Sequence, residues 1–250
     1  MKKTLKNLFR KLGYEVSKYS LAHSAHALQK HLIQQNQFDL IIDVGANSGQ
    51  YGVLLREIGY VGKIISFEPI PAIFTLLQKT ASQDSKWEIH NYAIGNEDGT
   101  ISINVSENTY SSSILPMLNT HLEAAPESRY VKQESIAIKK LSSILTSAYL
   151  TKYKSILLKI DVQGYEMPVI EGAIPLLPGI KMVQTELSFV PLYEQAPLYT
   201  DIIEKMKETG FDFFTFIPEF IDQSSGRLLQ ADGVFVNRKL LSPDLSGKAK

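Results

Sequence analysis

The chain has no cysteine, no excess of charge of either sign and no long apolar run. Without cysteine, disulfides, thiolate metal sites and cysteine nucleophiles are excluded, which leaves the compartment open and favours the cytosol. Basic and acidic residues number 26 each, so no net field attracts a polyanion and we expect no nucleic acid partner. No stretch approaches the roughly 20 apolar residues of a membrane-spanning helix.

The composition that is present is typical of a globular protein. Hydrophobic residues make up 44% of the 250 residues and charged residues 21%, which excludes disorder and a membrane bundle. We expect an N-terminal helical extension at 1–36, one main domain at 37–240 with an inserted segment at 95–145, and a flexible tail at 241–250.

The N-terminal segment has an amphipathic pattern. Residues 2–12 place Leu5, Leu8, Phe9 and Leu12 on one helical face and basic residues elsewhere. The pattern favours a helix docked on the domain or on a partner subunit, while a helix lying weakly on an anionic membrane is the alternative. A second helix is predicted over 20–35. The sequence makes no prediction of the oligomeric state.

From Phe38 onward, strand and helix patterns alternate, which predicts parallel βαβ units. The predicted strands are 39–43, 63–67, 87–92, 155–160, 180–186, 212–217 and 232–237, and the predicted helices are 49–59, 71–80, 166–176 and 198–210. A turn-rich link joins the last two strands and predicts an antiparallel hairpin. The segment 95–145 breaks the alternation with strands of its own and is expected to form a lid or a substrate wall.

The most informative stretch is FDLIIDVGANSGQY, residues 38–51. An apolar strand ends there and turns through Gly45 and Gly49, which let the backbone approach a ligand closely. The next strand, KIISF, ends at Glu68-Pro69, where a carboxylate can accept hydrogen bonds from two ribose hydroxyls. Because the G-x-G-x-x-G spacing of dinucleotide sites is missing, S-adenosylmethionine (SAM) is favoured over NAD. A nicotinamide-dependent oxidoreductase and a non-catalytic SAM-binding subunit remain as alternatives.

With these segments, residues 38–238 resemble the FkbM-type methyltransferases, a family of SAM-dependent enzymes. The resemblance implies the class I methyltransferase fold, a Rossmann-like α/β architecture with a seven-stranded, mostly parallel sheet, helices on both faces and an antiparallel C-terminal hairpin. The segments that carry it are DVGANSGQY (43–51), FEP (67–69), NYAIGNEDG (91–99), LKIDVQGYE (158–166), EGA (171–173), QTELSFVPLY (184–193) and GRLLQADGVFV (226–236). Glutamate is common in the family where Gln163 stands here.

The resemblance also implies site residues. The turn after the first strand would hold the methionine part of SAM, Glu68 the ribose, and Ala93 would lie near the adenine. The expected cofactor-binding residues are Asp43, Gly45, Ala46, Asn47, Gly49, Tyr51, Glu68, Pro69 and Ala93. The methyl acceptor would be a small molecule, with a hydroxyl on a sugar or secondary metabolite.

Asp161 is the leading candidate for a catalytic base, because it ends the fourth strand beside the expected cofactor cleft. The alternative is an aspartate that only hydrogen-bonds the following turn. Ser112, Glu166 and Glu186 are candidates for substrate binding, although Glu166 is also typical of a helix cap and Ser112 of a plain loop. No Asp-Asp or Asp-Asn pair follows the fifth strand, so we expect a metal-free site.

Overall fold

The computed structural model describes residues 2–14, 16 and 18–240, with side chains from Lys6 onward. The tail expected at 241–250 lies outside the described residues. The chain divides after Gln37 into two compact units. Within the described ranges, none of the helices combines the length and the apolar character that a bilayer span requires.

The first unit contains two helices, α1 (Lys2–Lys11) and α2 (Ala25–Asn36). The second helix begins five residues later than the sequence pattern predicts. Its N-cap is Ser24, whose hydroxyl oxygen accepts a hydrogen bond from the backbone N–H of Ala27 at 3.1 Å. This cap satisfies one of the free amide groups of the first turn and so fixes where the helix starts.

The second unit alternates strands and helices as predicted. Its strands are β1 (Leu40–Val44), β2 (Lys63–Phe67), β3 (Trp87–His90), β4 (Ala93–Gly95), β5 (Gly99–Ser106), β6 (Tyr130–Lys140), β7 (Ile156–Ile160), β8 (Met182–Ser188), β9 (Phe211–Ile221) and β10 (Leu228–Asn237). Its α-helices are α3 (Gln50–Glu57), α4 (Pro71–Ala81), α5 (Asn119–Ala124), α6 (Leu141–Ile144), α7 (Ser147–Leu150), α8 (Glu166–Ala173) and α9 (Tyr199–Glu208).

Seven of these strands form one sheet in the order β3-β2-β1-β7-β8-β10-β9. The five strands from β3 to β8 are parallel, and β10 pairs antiparallel with both β8 and β9. The strand order reverses between β1 and β7, which is where ligands bind in open parallel sheets. The predicted mostly parallel sheet with an antiparallel C-terminal hairpin is therefore confirmed.

The central strands are apolar because helices cover both faces of the sheet. All five residues of β1 are buried, and so are all five residues of β7. Strands buried on both faces lose the polar alternation of half-exposed strands, which explains why both appear in the sequence as runs that are apolar except for Asp43 and Lys159. Their side chains join one core cluster with residues of α6, α8 and α9.

The predicted strand 87–92 ends two residues early, and a separate strand follows it. β3 ends at His90, and Ala93–Gly95 belongs to the second sheet as β4. Between them, the Asn91 side chain donates hydrogen bonds to the carbonyl oxygens of Glu68 and Pro69, at 2.8 and 3.0 Å. The amide side chain thus fastens the chain to the end of β2 at the point where it leaves the main sheet.

The inserted segment forms a three-stranded sheet in the order β4-β6-β5. Its inner face shares an apolar cluster with the start of α4, formed by Ile70, Ile73, Ala93, Ile103, Val105, Ile136 and Ile138. Because this cluster is continuous with the main domain, the insertion is held against the carboxyl end of β2 by buried apolar contacts.

Gly172 allows α8 to pack closely on β4. A Cβ atom at this position would lie 1.9 Å from the carbonyl oxygen of Gly95. We predict that Gly172→Ala lowers the free energy of unfolding by about 2 kcal/mol or more, because helix and strand must separate. Gly179→Ala, where a Cβ meets nothing within 4 Å, should change it by less than about 0.5 kcal/mol. Urea unfolding of both variants checks this, and equal effects would contradict the close packing.

Candidate functional site

The turn after β1 is held by the end of β2. Gly45 has a φ of 85°, and the N–H groups of Gly45 and Ala46 both donate to the carbonyl oxygen of Phe67, at 3.0 and 2.9 Å. A Cβ on Gly45 would lie 1.8 Å from the carbonyl oxygen of Asp161. Only glycine fits this position, because both the backbone conformation and the close approach exclude a side chain.

Glu68 is the link between this turn and the loop after β2. Its Oε2 accepts a hydrogen bond from the backbone N–H of Asn47 at 3.0 Å, and its Oε1 accepts one from Ile70 at 2.9 Å. The residue is 5% exposed. Burial raises the pKa of Glu68 to about 7, against the opposing effect of the two backbone N–H groups. Each oxygen keeps a second lone pair for a further donor.

A cavity opens beside Glu68, at the carboxyl ends of β1, β2 and β7. It contains about 700 Å³ of space between atoms, part of which is open to solvent. The lining residues are Val44, Gly45, Asn47, Phe67, Glu68, Pro69, Ile70, Tyr92, Ala93, Ile94, Ile103, Thr109, Tyr110, Ser112, Ile114, Asp161, Val162, Gln163 and Tyr165.

The insertion supplies one wall of the cavity. The Asn47 side-chain amide donates to the carbonyl oxygen of Thr109 at 3.2 Å, and the Gln50 amide donates to the hydroxyl of Tyr110 at 3.2 Å. Ser112 lies on the same wall, where its hydroxyl donates to the carbonyl oxygen of Thr109 at 3.1 Å. The turn after β1 and the insertion are therefore joined by direct hydrogen bonds.

A cluster of polar side chains lies at the end of β7. The Lys159 ammonium is 3.0 Å from Asp161 Oδ2. Burial works to raise the pKa of Asp161, but the Lys159 ammonium and two hydrogen bonds outweigh it, so the pKa is below its usual range. The side chain of Lys159 is 8% exposed and that of Asp161 is 38% exposed. Asp161 therefore remains a carboxylate that reaches solvent.

Gln163 joins Asp161 to a buried carboxyl on the next strand. Its Nε2 donates to Asp161 Oδ1 at 3.1 Å and to Glu186 Oε1 at 3.0 Å, and its Oε1 accepts the Tyr193 hydroxyl at 2.7 Å. The amide donates to two carboxyl groups at once, which a glutamate at position 163 cannot do, because its carboxylate has no donor and its protonated form has only one. This contact gives Gln163 a role that depends on its neutral charge.

Glu186 is buried at 8% exposure, and its Oε2 has no hydrogen-bond partner in the described part of the chain. Burial raises its pKa well above the usual range, and the charges of Asp161, Glu166 and Asp232 add to this. Asp232 lies opposite Glu186 in the β8–β10 register and accepts a hydrogen bond from Gln184 at 2.6 Å. A buried carboxyl oxygen without a partner is costly when charged, which agrees with the raised pKa, and Glu186 does not line the cavity.

Asp43 lies in the core beneath the turn and does not line the cavity. It is fully buried, and its Oδ2 accepts the Ser66 hydroxyl at 3.1 Å, while its Oδ1 has no partner among the described residues. Burial raises the pKa of Asp43, and Lys159, its register neighbour on β7, opposes this. The Asp43 side chain therefore joins β1 to β2 beside Lys159.

Four further expected residues lie away from the cavity lining. Ala46 and Gly49 shape the turn, and Gly49 is the N-cap of α3 with a φ of 98°. The Tyr51 hydroxyl reaches Gln184 Oε1 at 3.4 Å, and its ring lies 5.0 Å from the Lys159 ammonium. Tyr51 thus faces the polar side chains of Lys159 on β7 and Gln184 on β8. Glu166 Oε1 accepts the N–H groups of Val162 and Gly164, at 3.2 and 3.1 Å, so it braces the turn after β7 as a cap would.

The sequence analysis missed three residues that the insertion places on the cavity, Thr109, Tyr110 and Ile114. They lie in none of the family segments, and their placement depends on how the insertion folds. Tyr92 and Tyr165 also line the cavity, and although they lie within the segments 91–99 and 158–166, the sequence gave them no role. In the described residues, no group of three or more histidine, aspartate or glutamate side chains has a metal-binding arrangement.

The strand order, with the glycine turn after β1 and the acid after β2, is that of the class I methyltransferase fold. The sequence model of the methyltransferase FkbM domain matches residues 43–213, more than half of the chain, so the chain belongs to the FkbM methyltransferase family. Membership implies a SAM-type cofactor. It also argues against the nicotinamide-dependent alternative.

Individual relatives are distant. Methyltransferase 1 of Beauveria bassiana (strain ARSEF 2860) is 24% identical over 143 residues, which cover 53% of this chain and 57% of that protein. The match thus spans little more than half the length of that relative. TehB from Haemophilus influenzae is 10% identical with a TM-score of 0.46, over 93% of this chain and 67% of that one.

A third relative, PH1948 from Pyrococcus horikoshii, is provisionally named an RNA methyltransferase. It is 11% identical with a TM-score of 0.45, over 85% of this chain and 83% of that one. Its similarity concerns the fold alone and does not identify an acceptor. The expected absence of a nucleic acid partner stays a prediction.

The pKa of Glu166 links folding to pH. Burial raises this pKa from 4.5 to about 7. The folded state therefore binds the proton more tightly than the unfolded state, and the resulting stability is complete below pH 4.5 and lost as the pH rises through 7. Glu166→Gln keeps an acceptor at Oε1 without titrating.

We predict that between about pH 5 and pH 7.5 the free energy of unfolding of Glu166→Gln falls by about 1–3 kcal/mol less than that of the unmodified chain. Urea unfolding across this range measures both slopes. The exposed Glu204→Gln serves as the matched control. A Glu166→Gln slope equal to that of the unmodified chain would show that Glu166 does not hold its proton in the folded state.

Proposed function

We propose that the chain is a SAM-dependent methyltransferase that O-methylates a hydroxyl of a small sugar or secondary metabolite. The observation that carries the proposal is the position of Glu68, whose carboxylate lines the cavity and also holds the glycine turn. A carboxylate at the end of the second parallel strand, beside a turn without side chains, fits a ribose and an adjoining amino acid moiety.

The residues around the cavity fit such a cofactor. Glu68 has a free lone pair on each oxygen for the ribose hydroxyls, and Pro69, Ala93 and Ile94 offer an apolar surface to the adenine. Gly45 and Asn47 would border the methionine part. The other residues expected around the cofactor would act indirectly, Asp43, Ala46 and Gly49 by shaping the turn and Tyr51 by contacting Lys159.

Bound SAM would supply an electrophilic methyl group on a sulfonium. On the acceptor side, the carboxylate of Asp161 lines the same cavity and is held in place by Lys159 and Gln163. We propose that Asp161 accepts the hydrogen bond of the acceptor hydroxyl and orients its oxygen toward the methyl group. Because its pKa is low, Asp161 contributes more by alignment than by holding the proton. As the new oxygen–carbon bond forms and the methyl–sulfur bond breaks, the hydroxyl proton would pass to Asp161 and from there to solvent, which the partly exposed side chain reaches.

The acceptor would also meet polar groups beyond Asp161. Ser112 offers its hydroxyl from the insertion wall, and Glu186, which lies outside the cavity lining, would act on the acceptor through the Gln163 amide that joins it to Asp161. Glu166 remains in the proposal as the brace of the turn that positions Asp161 and Gln163. The chain would act in the cytosol and without a metal, as the sequence favours.

Cofactor binding separates the proposal from its rivals. We predict that S-adenosylhomocysteine binds to the purified chain in isothermal titration calorimetry and that NAD does not. Glu68→Gln should weaken S-adenosylhomocysteine binding by about 100-fold, because the amide cannot accept hydrogen bonds at both positions. Glu88→Gln on the neighbouring strand β3, whose carboxylate pairs with Lys63 at 2.7 Å, should leave binding unchanged. Binding of NAD in place of S-adenosylhomocysteine would contradict the proposal.

Turnover tests Asp161. With labelled SAM and an extract of the source organism, we predict transfer of label to a small hydroxylated or glycosylated compound. Asp161→Asn should reduce this transfer by about 100-fold and change the affinity for S-adenosylhomocysteine by less than about threefold.

Each part of the turnover prediction has its own contradicting result. Unchanged transfer by Asp161→Asn would remove Asp161 from the mechanism while leaving the cofactor site intact. Label found only in protein or nucleic acid would contradict the small-molecule acceptor. Cofactor binding with no transfer to any acceptor would favour a non-catalytic SAM-binding subunit.

A further inference from the structure

The charge of the chain is unevenly distributed. Residues 2–12 contain five of the 26 basic residues and no acidic residue, which leaves 21 basic and 26 acidic residues elsewhere, a net charge of −5. A neutral protein thus carries a compact basic segment at α1. Such a segment is attracted to an anionic surface that repels the rest of the chain.

The same segment exposes large apolar side chains. Leu8 is 56% exposed, Leu12 is 64% exposed and Tyr14 is 67% exposed. Leu8 and Leu12 are four residues apart, which places them on one side of the helix, and Phe9 extends this side. These apolar side chains are exposed to water, so this side of the helix has apolar area that binding to another apolar surface can bury.

Basic and apolar residues are arranged as an interfacial helix requires. Lys6 and Lys11 flank the apolar side formed by Leu8, Phe9 and Leu12, so their ammonium groups can reach outward while the leucines enter an apolar layer. A protein groove would satisfy the apolar side, but it has no general need for five basic residues. A lipid headgroup layer with negative charge satisfies both.

We propose that α1 binds the chain peripherally to anionic lipid bilayers, with Leu8, Phe9 and Leu12 inserted among the headgroups and the basic residues paired with lipid phosphates. The binding is reversible, because one short helix gives only marginal membrane affinity. It places the methyltransferase unit near a membrane, and it does not depend on which acceptor the unit methylates.

Sedimentation of the full chain with large unilamellar vesicles tests the proposal. We expect partitioning onto vesicles of phosphatidylcholine with about 30% phosphatidylglycerol to be at least about tenfold stronger than onto phosphatidylcholine alone. Raising the salt to about 0.5 M should remove most of this difference by screening.

Paired variants separate the apolar contribution to vesicle binding from the electrostatic contribution. Leu8→Glu with Leu12→Glu should abolish binding to both kinds of vesicle, and Lys6→Glu with Lys11→Glu should abolish the preference for anionic vesicles. The matched controls are Val61→Glu with Leu76→Glu, which are 75% and 51% exposed, and Lys79→Glu with Lys207→Glu, which are exposed on α4 and α9. Both control pairs should bind as the unmodified chain does.

Three results would overturn the proposal. One is absence of the unmodified chain from anionic vesicles. Another is equal binding to neutral and anionic vesicles. The third is an oligomer of the unmodified chain that dissociates with Leu8→Glu and Leu12→Glu while no variant responds to vesicles, which would make α1 a subunit contact. Calorimetry with S-adenosylhomocysteine on the same samples tests the cofactor site separately, so failure of one proposal does not imply failure of the other.

Discussion

The site depends on one buried carboxylate. Glu68 accepts the backbone N–H groups of Asn47 and Ile70 and so ties the turn after β1 to the loop after β2. Asn47, in the turn after β1, also donates a hydrogen bond to Thr109, and this bond fixes the insertion as the far wall of the cavity. Burial opposes the charge of Glu68, and further donors from a ligand would offset part of that cost. A ribose presents two such donors in neighbouring positions.

The part of the site around Asp161, where the methyl acceptor is proposed to bind, is organised by the ammonium of Lys159 and the amide of Gln163. Lys159 lies between the carboxylates of β1 and β7 and keeps Asp161 ionised, while Gln163 links Asp161 to Glu186. The two carboxyl groups therefore differ in protonation although one amide joins them. Gln163 stands where the family commonly has glutamate. Its neutral amide avoids a further negative charge beside Asp161 and Glu186, which is a physical reason for the difference from the family.

Much of the fold follows from local patterns, and much of the site does not. β1, β2 and β7 lie within one residue of their predicted bounds because strands buried on both faces are mostly apolar in sequence. Glu68 and Gly45 were predictable because strand ends in a parallel sheet meet at one edge. Tyr110 and Gln184 were not, since their positions depend on the second sheet and on strand register. Tyr51 was placed with the cofactor, but its helix turns it toward Lys159.

The central claim concerns how the chain holds its cofactor, and a crystal structure with S-adenosylhomocysteine tests it most directly. The account predicts both ribose hydroxyls within hydrogen-bonding distance of the Glu68 carboxylate, the amino acid moiety beside Gly45 and the adenine against Ala93. A ligand bound elsewhere, or a ribose held without Glu68, would contradict it.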